Sequence, residues 1–316
     1  MSDSPECLFC GRSNTKFCFR GHDRWLGIEG SYNVFRCAAC RLLFLHPQPS
    51  PEQLARHYPS NYYAFQGERT EDRRHERLYA NLYGPQSSAL RRLVFSPYRP
   101  LLRSLPSARG GRLLDVGCGS GHFLATARKI LGADVYGVEP YSYDAAFAER
   151  NNLSIFNGTV EQAEFPDAFF DVITMNHVFE HLRCPRSTLR ELRRIIKPGG
   201  EVIIGVPQSR SLLYWIFGSR WWQLDVPRHL FVPCARNLKT LAEGSGFTVR
   251  RVRYNSTPES ILASFNYWRR DIFHRSGISE YTPARTSFVA LLPLAYALNL
   301  LRIGDQIEMT LVPRTQ

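Results

Sequence analysis

The chain has 316 residues, of which 44% are hydrophobic, enough to bury the core of an α/β domain and to carry an additional module. It contains no apolar stretch of 18 residues and no signal-peptide pattern, which argues against a transmembrane or secreted protein and predicts a cytoplasmic one with reduced cysteines. The formal net charge is +12, but 36 of the 40 basic residues are arginines, scattered without a basic run. This charge favours an anionic small molecule or a lipid-linked substrate over a nucleic acid.

Four cysteines near the N-terminus form two CxxC pairs, Cys7 with Cys10 and Cys37 with Cys40. Each pair can present two thiolates to one ion, and two such pairs complete the tetrahedral coordination of Zn²⁺. We therefore predict a zinc ribbon over residues 1–46, with redox pairs or disulfides as the alternative. Four thiolates leave no open coordination position, so the expected role of this zinc is structural.

Residues 47–108 are predicted to form a linker and a helical cover. Prolines at 47, 49, 51 and 59 interrupt regular structure at the start of this segment. Residues 68–105 then show a helical apolar period that Pro85 and Pro97 divide into pieces. We expect these helices to cover a ligand site, with a solvated charged face as the alternative.

A glycine-rich turn follows the first strong strand pattern, at 112–116. Asp115 comes first, then three glycines at alternate positions, Gly117, Gly119 and Gly121. Such glycines allow a sharp turn and close backbone approach to a ligand. A helix-like segment and a second strand (134–139) follow, and that strand ends on Glu139, whose carboxylate can hold ribose hydroxyls. A carboxylate ahead of the glycines disfavours a pyrophosphate and suits a ligand that carries an amine and a sulfonium.

Five blocks in this order resemble the class I S-adenosylmethionine methyltransferases over residues 109–250. They are the glycine-rich turn, Gly137-Val138-Glu139, Phe170-Asp171-Val172-Ile173, Glu180-His181 and the segment from Leu192 to Gly200. The resemblance implies an α/β, Rossmann-like, seven-stranded domain over 109–316, with S-adenosylmethionine as cofactor. It implies cofactor contacts from Asp115, Gly117, Gly119, Gly121, Glu139, Thr159, Val160 and Asn176. Thr159 and Val160 stand where many relatives carry an Asp at the adenine edge. A NAD-type site is the alternative.

The later strands are predicted at 153–156, 171–175, 201–206, 247–254 and 306–312, the last two as the antiparallel hairpin of this family. An insertion over 257–304 separates the hairpin strands and contains the apolar run 288–301. We expect that run to be a packed helix. The alternative is an interfacial surface or one that contacts a lipid substrate.

Three polar residues follow the fourth strand of the domain. His177, Glu180 and His181 are spaced so that a helix would place them on one face. The H-x-x-E-H spelling matches an inverted zinc-protease motif, but its position argues against protease chemistry. It also resembles the E-x-x-E-H segment of ubiquinone-pathway O-methyltransferases, in which a divalent metal assists, with His177 in place of the first Glu. The alternative is that Glu180 and His181 only cap and orient a helix.

A further polar block lies after the fifth strand. Asp225, Arg228 and His229 offer an orienting carboxylate, an anion clamp and a base that titrates near neutrality. Related methyltransferases show a similar Asp-x-Pro-Arg-His-Leu block. We take His229 as the first candidate for the catalytic base and His181 as the second, with His177 in the same site. A purely structural loop is the alternative.

The tract Tyr58-Pro59-Ser60-Asn61-Tyr62-Tyr63 is similar to the linker of zinc-ribbon methyltransferases of glycan gene clusters. This resemblance implies O-methylation of a sugar hydroxyl in a nucleotide-linked, lipid-linked or polysaccharide precursor. The expected partner is a small-molecule or glycan acceptor, including a lipid-linked substrate at the inner face of the membrane. The rival hypotheses are an RNA methyltransferase and a scaffold protein that binds the cofactor without turnover. Acceptor loops vary freely, so the sequence predicts neither the acceptor nor the oligomeric state.

Overall fold

A computed structural model describes residues 4–59, 62–65, 70–105, 110–273 and 285–314. Parts of the predicted linker and cover (60–61, 66–69 and 106–108) and of the predicted insertion (274–284) lie outside the described residues. The strands are β1 (Thr15–Gly21), β2 (Tyr32–Cys37), β3 (Leu43–Leu45), β4 (Arg112–Val116), β5 (Asp134–Glu139), β6 (Ser154–Asn157), β7 (Phe170–Asn176), β8 (Ile196–Pro207), β9 (Phe231–Val232), β10 (Phe247–Tyr254) and β11 (Gln306–Pro313). The α-helices are α1 (Pro51–Ala55), α2 (Thr70–Tyr83), α3 (Ala89–Phe95), α4 (His122–Leu131), α5 (Ala145–Arg150), α6 (Pro185–Ile195), α7 (Leu212–Phe217), α8 (Ala235–Glu243), α9 (Pro258–Ile272), α10 (Arg285–Ala290) and α11 (Leu292–Leu300).

Seven strands form one mixed sheet in the order β10-β11-β8-β7-β4-β5-β6. The strands from β8 to β6 are parallel, whereas β11 pairs antiparallel with both β8 and β10. This confirms the predicted Rossmann-like fold class and the terminal antiparallel hairpin. In such sheets a ligand lies beyond the carboxyl ends of the strands where the strand order reverses, here beside β4.

A second, four-stranded sheet has the order β1-β2-β3-β9. Its fourth strand comes from the chain after β8, so the N-terminal module and the larger domain share this sheet. The Phe9 and Phe231 rings meet with centroids 5.1 Å apart, and one hydrophobic core runs from Cys7 through both sheets. The division into 1–46, 47–108 and 109–316 therefore stays a prediction.

Three local expectations need correction. β8 begins at Ile196 rather than at 201, because Ile196 already lies opposite Phe170 in the ladder with β7. The apolar run 288–301 is not one helix, because α10 ends at Ala290 and α11 begins at Leu292, with Pro293 in its first turn. The predicted helix through His177 is wrong: His177 has a positive φ of 54°, and only Phe179–His181 form a short 3₁₀ turn.

Candidate active site

The loop between β4 and α4 is held in a conformation that favours glycine. Gly117, Gly119 and Gly121 have φ values of 69°, 53° and 84°. A Cβ on Gly119 would lie 2.5 Å from the carbonyl oxygen of Ala64, and a Cβ on Gly117 would lie 2.2 Å from a methyl group of Val178. The glycines therefore let this loop pass directly beneath the turn at 63–65.

Glu139 closes the same edge of the sheet at the end of β5. One carboxylate oxygen accepts a hydrogen bond from the N–H of Gly119 at 2.9 Å, and the other accepts one from Tyr141 at 3.2 Å. Burial raises the pKa of Glu139, and the two N–H groups oppose that rise. Each oxygen keeps a lone pair, so the carboxylate can still accept from the hydroxyls of a ribose.

Asp115 faces a residue that the sequence analysis missed. Arg103 forms a two-point ion pair with it at 2.5 and 3.2 Å, and Thr174 donates a third hydrogen bond at 2.7 Å. The Arg103 guanidinium carbon also lies 3.7 Å from the centroid of the Phe123 ring and lines the cavity described below. Asp115 is thus enclosed behind Arg103, which corrects the expectation of a direct ligand contact. A lone arginine ahead of the glycine motif carries no sequence pattern that would have marked it.

The remaining predicted cofactor positions separate into two groups. Thr159 and Asn176 line the cavity, Asn176 at the carboxyl end of β7. Val160 instead is buried in the hydrophobic core, and Gly121 serves as the N-cap of α4. The structure therefore brings Thr159 and Asn176 to the site but does not place Val160 there.

One cavity of about 1220 Å³ contains both the glycine loop and the predicted catalytic residues. Its walls include Gly117, Gly119 and Glu139 on one side and His177, His181 and His229 on the other. Pockets for one drug-sized ligand span about 300–1,000 Å³. The cavity is therefore large enough for a cofactor together with a second molecule.

Glu180 stands at the centre of the histidine cluster. Its side chain is fully buried, and one of its oxygens lies 3.3 Å from Nδ1 of His177 and 3.7 Å from Nε2 of His229. Within the described part of the chain neither oxygen accepts a hydrogen bond of good geometry. Burial alone would raise the pKa of Glu180, but the surrounding histidines hold it below its ordinary value. The site therefore holds a buried negative charge that a protonated histidine would neutralise.

Hydrogen bonds define which nitrogen of His229 is free. Nδ1 of His229 lies 2.8 Å from the carbonyl oxygen of Gln223, and Nδ1 of His181 lies 2.9 Å from that of Arg228. Because a carbonyl only accepts, Nδ1 of His229 carries the proton and its Nε2 has the lone pair. Nδ1 of His181 also lies 2.8 Å from the hydroxyl oxygen of Tyr58, which can donate or accept. The ring centroids of His181 and His229 are 4.7 Å apart. Burial, with help from His229, lowers the pKa of His181 to about 4.

Arg228 does not act as the predicted anion clamp. It is fully buried, bound to Asp225 at 2.5 and 2.8 Å and to Asp23 at 2.8 and 3.1 Å. His57 adds a bond from Nδ1 to Asp23 at 2.7 Å. Because Asp225 is committed to Arg228 and lies 4.0 Å from His229, Glu180 is the nearer carboxylate to that histidine. Asp23 and His57 lie far away in sequence and carried no motif.

The four N-terminal cysteines converge, as their spacing predicted. The sulfurs of Cys7 and Cys40 are 3.5 Å apart, those of Cys10 and Cys37 are 3.6 Å apart, and all four lie within 4.8 Å of one another. Zn–S bonds of about 2.3 Å in a tetrahedron require sulfur separations of about 3.8 Å. The donor set and its spacing fit one zinc ion. Glu180, His181 and His229 form a second group with ligand atoms within 4.8 Å.

Known proteins resemble this chain in sequence and in fold. The family described as "Methyltransferase domain" matches residues 89–252, more than half of the chain. A ubiquinone biosynthesis O-methyltransferase of Cereibacter sphaeroides is 34% identical over 138 residues, which cover 41% of this chain and 55% of that protein. An uncharacterised methyltransferase of Schizosaccharomyces pombe is 36% identical over 105 residues, covering 29% of this chain and 38% of that protein. The chain thus spans about half or less of the length of these relatives.

A solved structure shares the fold. Geranyl diphosphate C-methyltransferase from Streptomyces coelicolor, in complex with Mg²⁺, geranyl diphosphate and S-adenosyl-L-homocysteine, superposes with a TM-score of 0.51 at 14% identity. The match covers 84% of this chain and 99% of that one. At this identity the likeness concerns the fold alone.

Proposed function

The chain belongs to the methyltransferase-domain family, and we propose that it transfers the methyl group of S-adenosylmethionine to a sugar hydroxyl. The acceptor we propose is a nucleotide-linked, lipid-linked or polysaccharide precursor, met in the cytoplasm or at the inner face of the membrane. One observation carries this proposal. The glycine loop, Glu139 and three histidines line the same cavity, and the buried Glu180 carboxylate lies behind two of these histidines.

The chain offers complementary groups for each part of the cofactor. Glu139 would accept hydrogen bonds from the ribose hydroxyls, and Thr159 would border the adenine. Asn176 lines the cavity directly before His177, at the carboxyl end of β7, and would contact the cofactor there. Arg103 has N–H donors beyond those it uses on Asp115, and a guanidinium matches the carboxylate of the methionine portion. Asp115 would then act by holding Arg103 in place.

His229 is the proposed general base. Its Nε2 has the free lone pair and His229 lines the cavity, so Nε2 would take the acceptor hydroxyl proton as the oxygen bonds to the methyl carbon. The imidazolium that forms would be stabilised by the Glu180 carboxylate, 3.7 Å from Nε2. Bound S-adenosylmethionine would supply an electrophilic methyl group and a neutral thioether as the leaving group.

The base assignment is tested by turnover and cofactor affinity measured together. His229→Ala should lower turnover by about 10²-fold or more while S-adenosylhomocysteine affinity stays nearly constant, since a positioned base contributes about 10²–10⁴-fold. His181→Ala serves as the comparison within the site, and His46→Ala as a control at an exposed histidine of the N-terminal module. Loss of turnover in His181→Ala but not in His229→Ala would reassign the base to His181.

We further propose that Cys7, Cys10, Cys37 and Cys40 hold one structural zinc ion. The sulfur separations support this role, as does the packing of the cysteine module into the main hydrophobic core. The zinc would stabilise the sheet that β9 shares with the N-terminal strands.

The acceptor is identified by following the methyl group. The protein is incubated with labelled S-adenosylmethionine and with separate envelope-lipid, glycan, small-molecule and RNA fractions of its own cells. Label in a sugar-containing fraction is the expected result. Label in RNA would establish the rival methyltransferase, and cofactor binding without label in any fraction would favour the scaffold hypothesis.

A further inference from the structure

The solvent-facing side of α9 is apolar. Phe265, Trp268 and Ile272 follow each other at intervals of three and four residues, and Phe273 comes next. They are 51%, 40%, 47% and 65% exposed, respectively. The opposite side of the helix, with Ala263 and Tyr267, is buried. Large apolar side chains on the exposed side of a helix commonly mark an interaction surface.

The neighbouring helix α7 also carries exposed apolar side chains. It packs against α9 and exposes Trp215 at 80% and Ile216 at 54%. The turn after α7 is tied to the end of α9 by an ion pair of 2.7 Å between Arg220 and Asp271. We call the exposed side chains of Trp215, Ile216, Phe265, Trp268, Ile272 and Phe273 the aromatic surface.

Cationic groups border the aromatic surface. Arg24 and Arg220 both bind Asp271, at 2.6 and 2.7 Å, while Arg269 and Arg270 precede it on α9. These four arginines and Asp271 together carry a net charge of +3. An amphipathic surface with aromatic side chains and an arginine border matches an anionic lipid interface. A second copy of this chain would bring two such positive borders together and is disfavoured by repulsion.

The aromatic surface and the active-site cavity share helix α9. Thr257 and Glu259, at the start of α9, line that cavity, and Phe265 lies six residues further along the helix. At a rise of about 1.5 Å per residue, this is a distance of about 9 Å along the axis. Ser264 also accepts a hydrogen bond from the backbone N–H of Trp222, another cavity residue, at 3.0 Å.

We propose that α7 and α9 dock the protein onto an anionic bilayer surface, so that a lipid-linked acceptor reaches the cavity along α9. None of the helices in the described part of the chain has the length and apolar composition of a bilayer span. This inference rests on the proposed methyl transfer and selects the lipid-linked acceptor among the three acceptor classes.

The test is flotation of the full chain with vesicles of phosphatidylcholine alone or with roughly 30% phosphatidylglycerol. We expect binding only to the anionic vesicles, weakened by salt. Trp215→Ser with Trp268→Ser should reduce binding about tenfold or more, as should Arg269→Glu with Arg270→Glu. Phe156→Ser changes a comparably exposed aromatic residue on β6, at the opposite edge of the sheet, and should bind as the wild type does.

Two further measurements separate the possible failures. Each variant is checked for S-adenosylhomocysteine affinity, which should be unchanged because the substituted residues lie outside the cavity. Equal vesicle binding by all variants, or no binding at all, would overturn the docking proposal while leaving the methyl-transfer proposal standing. If the wild type is a dimer in sedimentation and the tryptophan variants are monomers, the surface is a self-association interface instead. Vesicle binding without any cofactor affinity would overturn the proposed function and leave the docking surface.

Discussion

Asp23→Asn should destabilise the protein although it changes only one atom of the side chain. Asp23 accepts five hydrogen bonds, all from inside the chain. One oxygen takes the N–H groups of Trp25 and Leu26 at 3.0 and 2.8 Å and one guanidinium N–H of Arg228 at 3.1 Å. The other oxygen faces Nδ1 of His57 at 2.7 Å and Arg228 at 2.8 Å. The carbonyl oxygen of an Asn amide can accept the three hydrogen bonds of the first oxygen. Its NH₂ group, itself a donor, would then face the N–H donors of His57 and Arg228.

The expected cost follows from burial and from the partner that remains. Removing one member of a buried ion pair costs about 3–5 kcal/mol. The lower end applies here, because Asp225 still compensates Arg228 with two bonds of 2.5 and 2.8 Å. We therefore expect a loss of about 3 kcal/mol in the free energy of unfolding at pH 7.

The control is Asp271→Asn, which also removes a carboxylate bound by two arginines, Arg24 and Arg220. Asp271 is partly exposed, so its pairs are screened by solvent and the expected loss is about 1 kcal/mol or less. Urea unfolding followed by tryptophan fluorescence compares the two variants with the wild type. Equal losses in both variants would refute the reasoning from burial.

The pH dependence gives a second check on Asp23. Burial alone would raise its pKa, but the bonds from His57 and Arg228 outweigh burial and hold the pKa below its ordinary value. A depressed pKa contributes stability that is fully present above the unfolded value of about 3.9 and is lost as the pH falls below it. The difference between wild type and Asp23→Asn should therefore be constant from about pH 8 to pH 5 and should shrink below about pH 4. A difference that disappears near neutrality would contradict this assignment.

Three further predictions concern the cofactor and the cysteines. Glu139→Ala should weaken S-adenosylhomocysteine binding by about 1–3 kcal/mol in calorimetry, since the ribose loses a charged acceptor. An unchanged affinity would show that Glu139 does not contact the cofactor. Gly119→Ala should abolish cofactor binding, because its Cβ would lie 2.5 Å from the carbonyl oxygen of Ala64. The control Gly132→Ala has a similar φ and open space around its Cβ, so it should bind the cofactor normally. Similar affinities of the two variants would refute the steric argument. Elemental analysis should find one zinc per chain in the wild type and in the control Cys184→Ser, which alters an exposed cysteine. Cys7→Ser should contain no zinc and should unfold at a lower temperature. Zinc retained by Cys7→Ser would contradict the four-cysteine site.

Local sequence patterns predicted the order of the elements in the larger domain. The strands at 112–116, 134–139 and 247–254 match β4, β5 and β10 residue for residue. Apolar runs that end in Gly or an acid are local signals, because strand pairing and tight turns both depend on neighbouring residues. The convergence of the four cysteines was predictable for the same reason, since each CxxC pair is a local turn.

The sequence predicted less well what lay between elements. His177, Glu180 and His181 do come together, but not on a helix: His177 has a positive φ, and His229 joins them from a loop after β8. Helical spacing therefore led to the correct residues through the wrong geometry. The error arose because the periodicity of three residues cannot distinguish a helix from a turn packed against another loop.

By itself, the sequence determined the positions of strands in the larger domain, the glycine turn, the acid at the end of β5 and the two CxxC turns, because each depends on residues close together in the chain. The order of the strands in a seven-stranded sheet came from the resemblance to the class I methyltransferases. Only the tertiary structure decided the roles of Arg103 and Arg228. Arg103 encloses Asp115, and Arg228 is locked between Asp225 and Asp23, a residue 205 positions away. The physical reason is that burial and charge pairing are set by which surfaces pack together. An ion pair between residues so far apart in the chain cannot be predicted from the spacing of neighbouring residues.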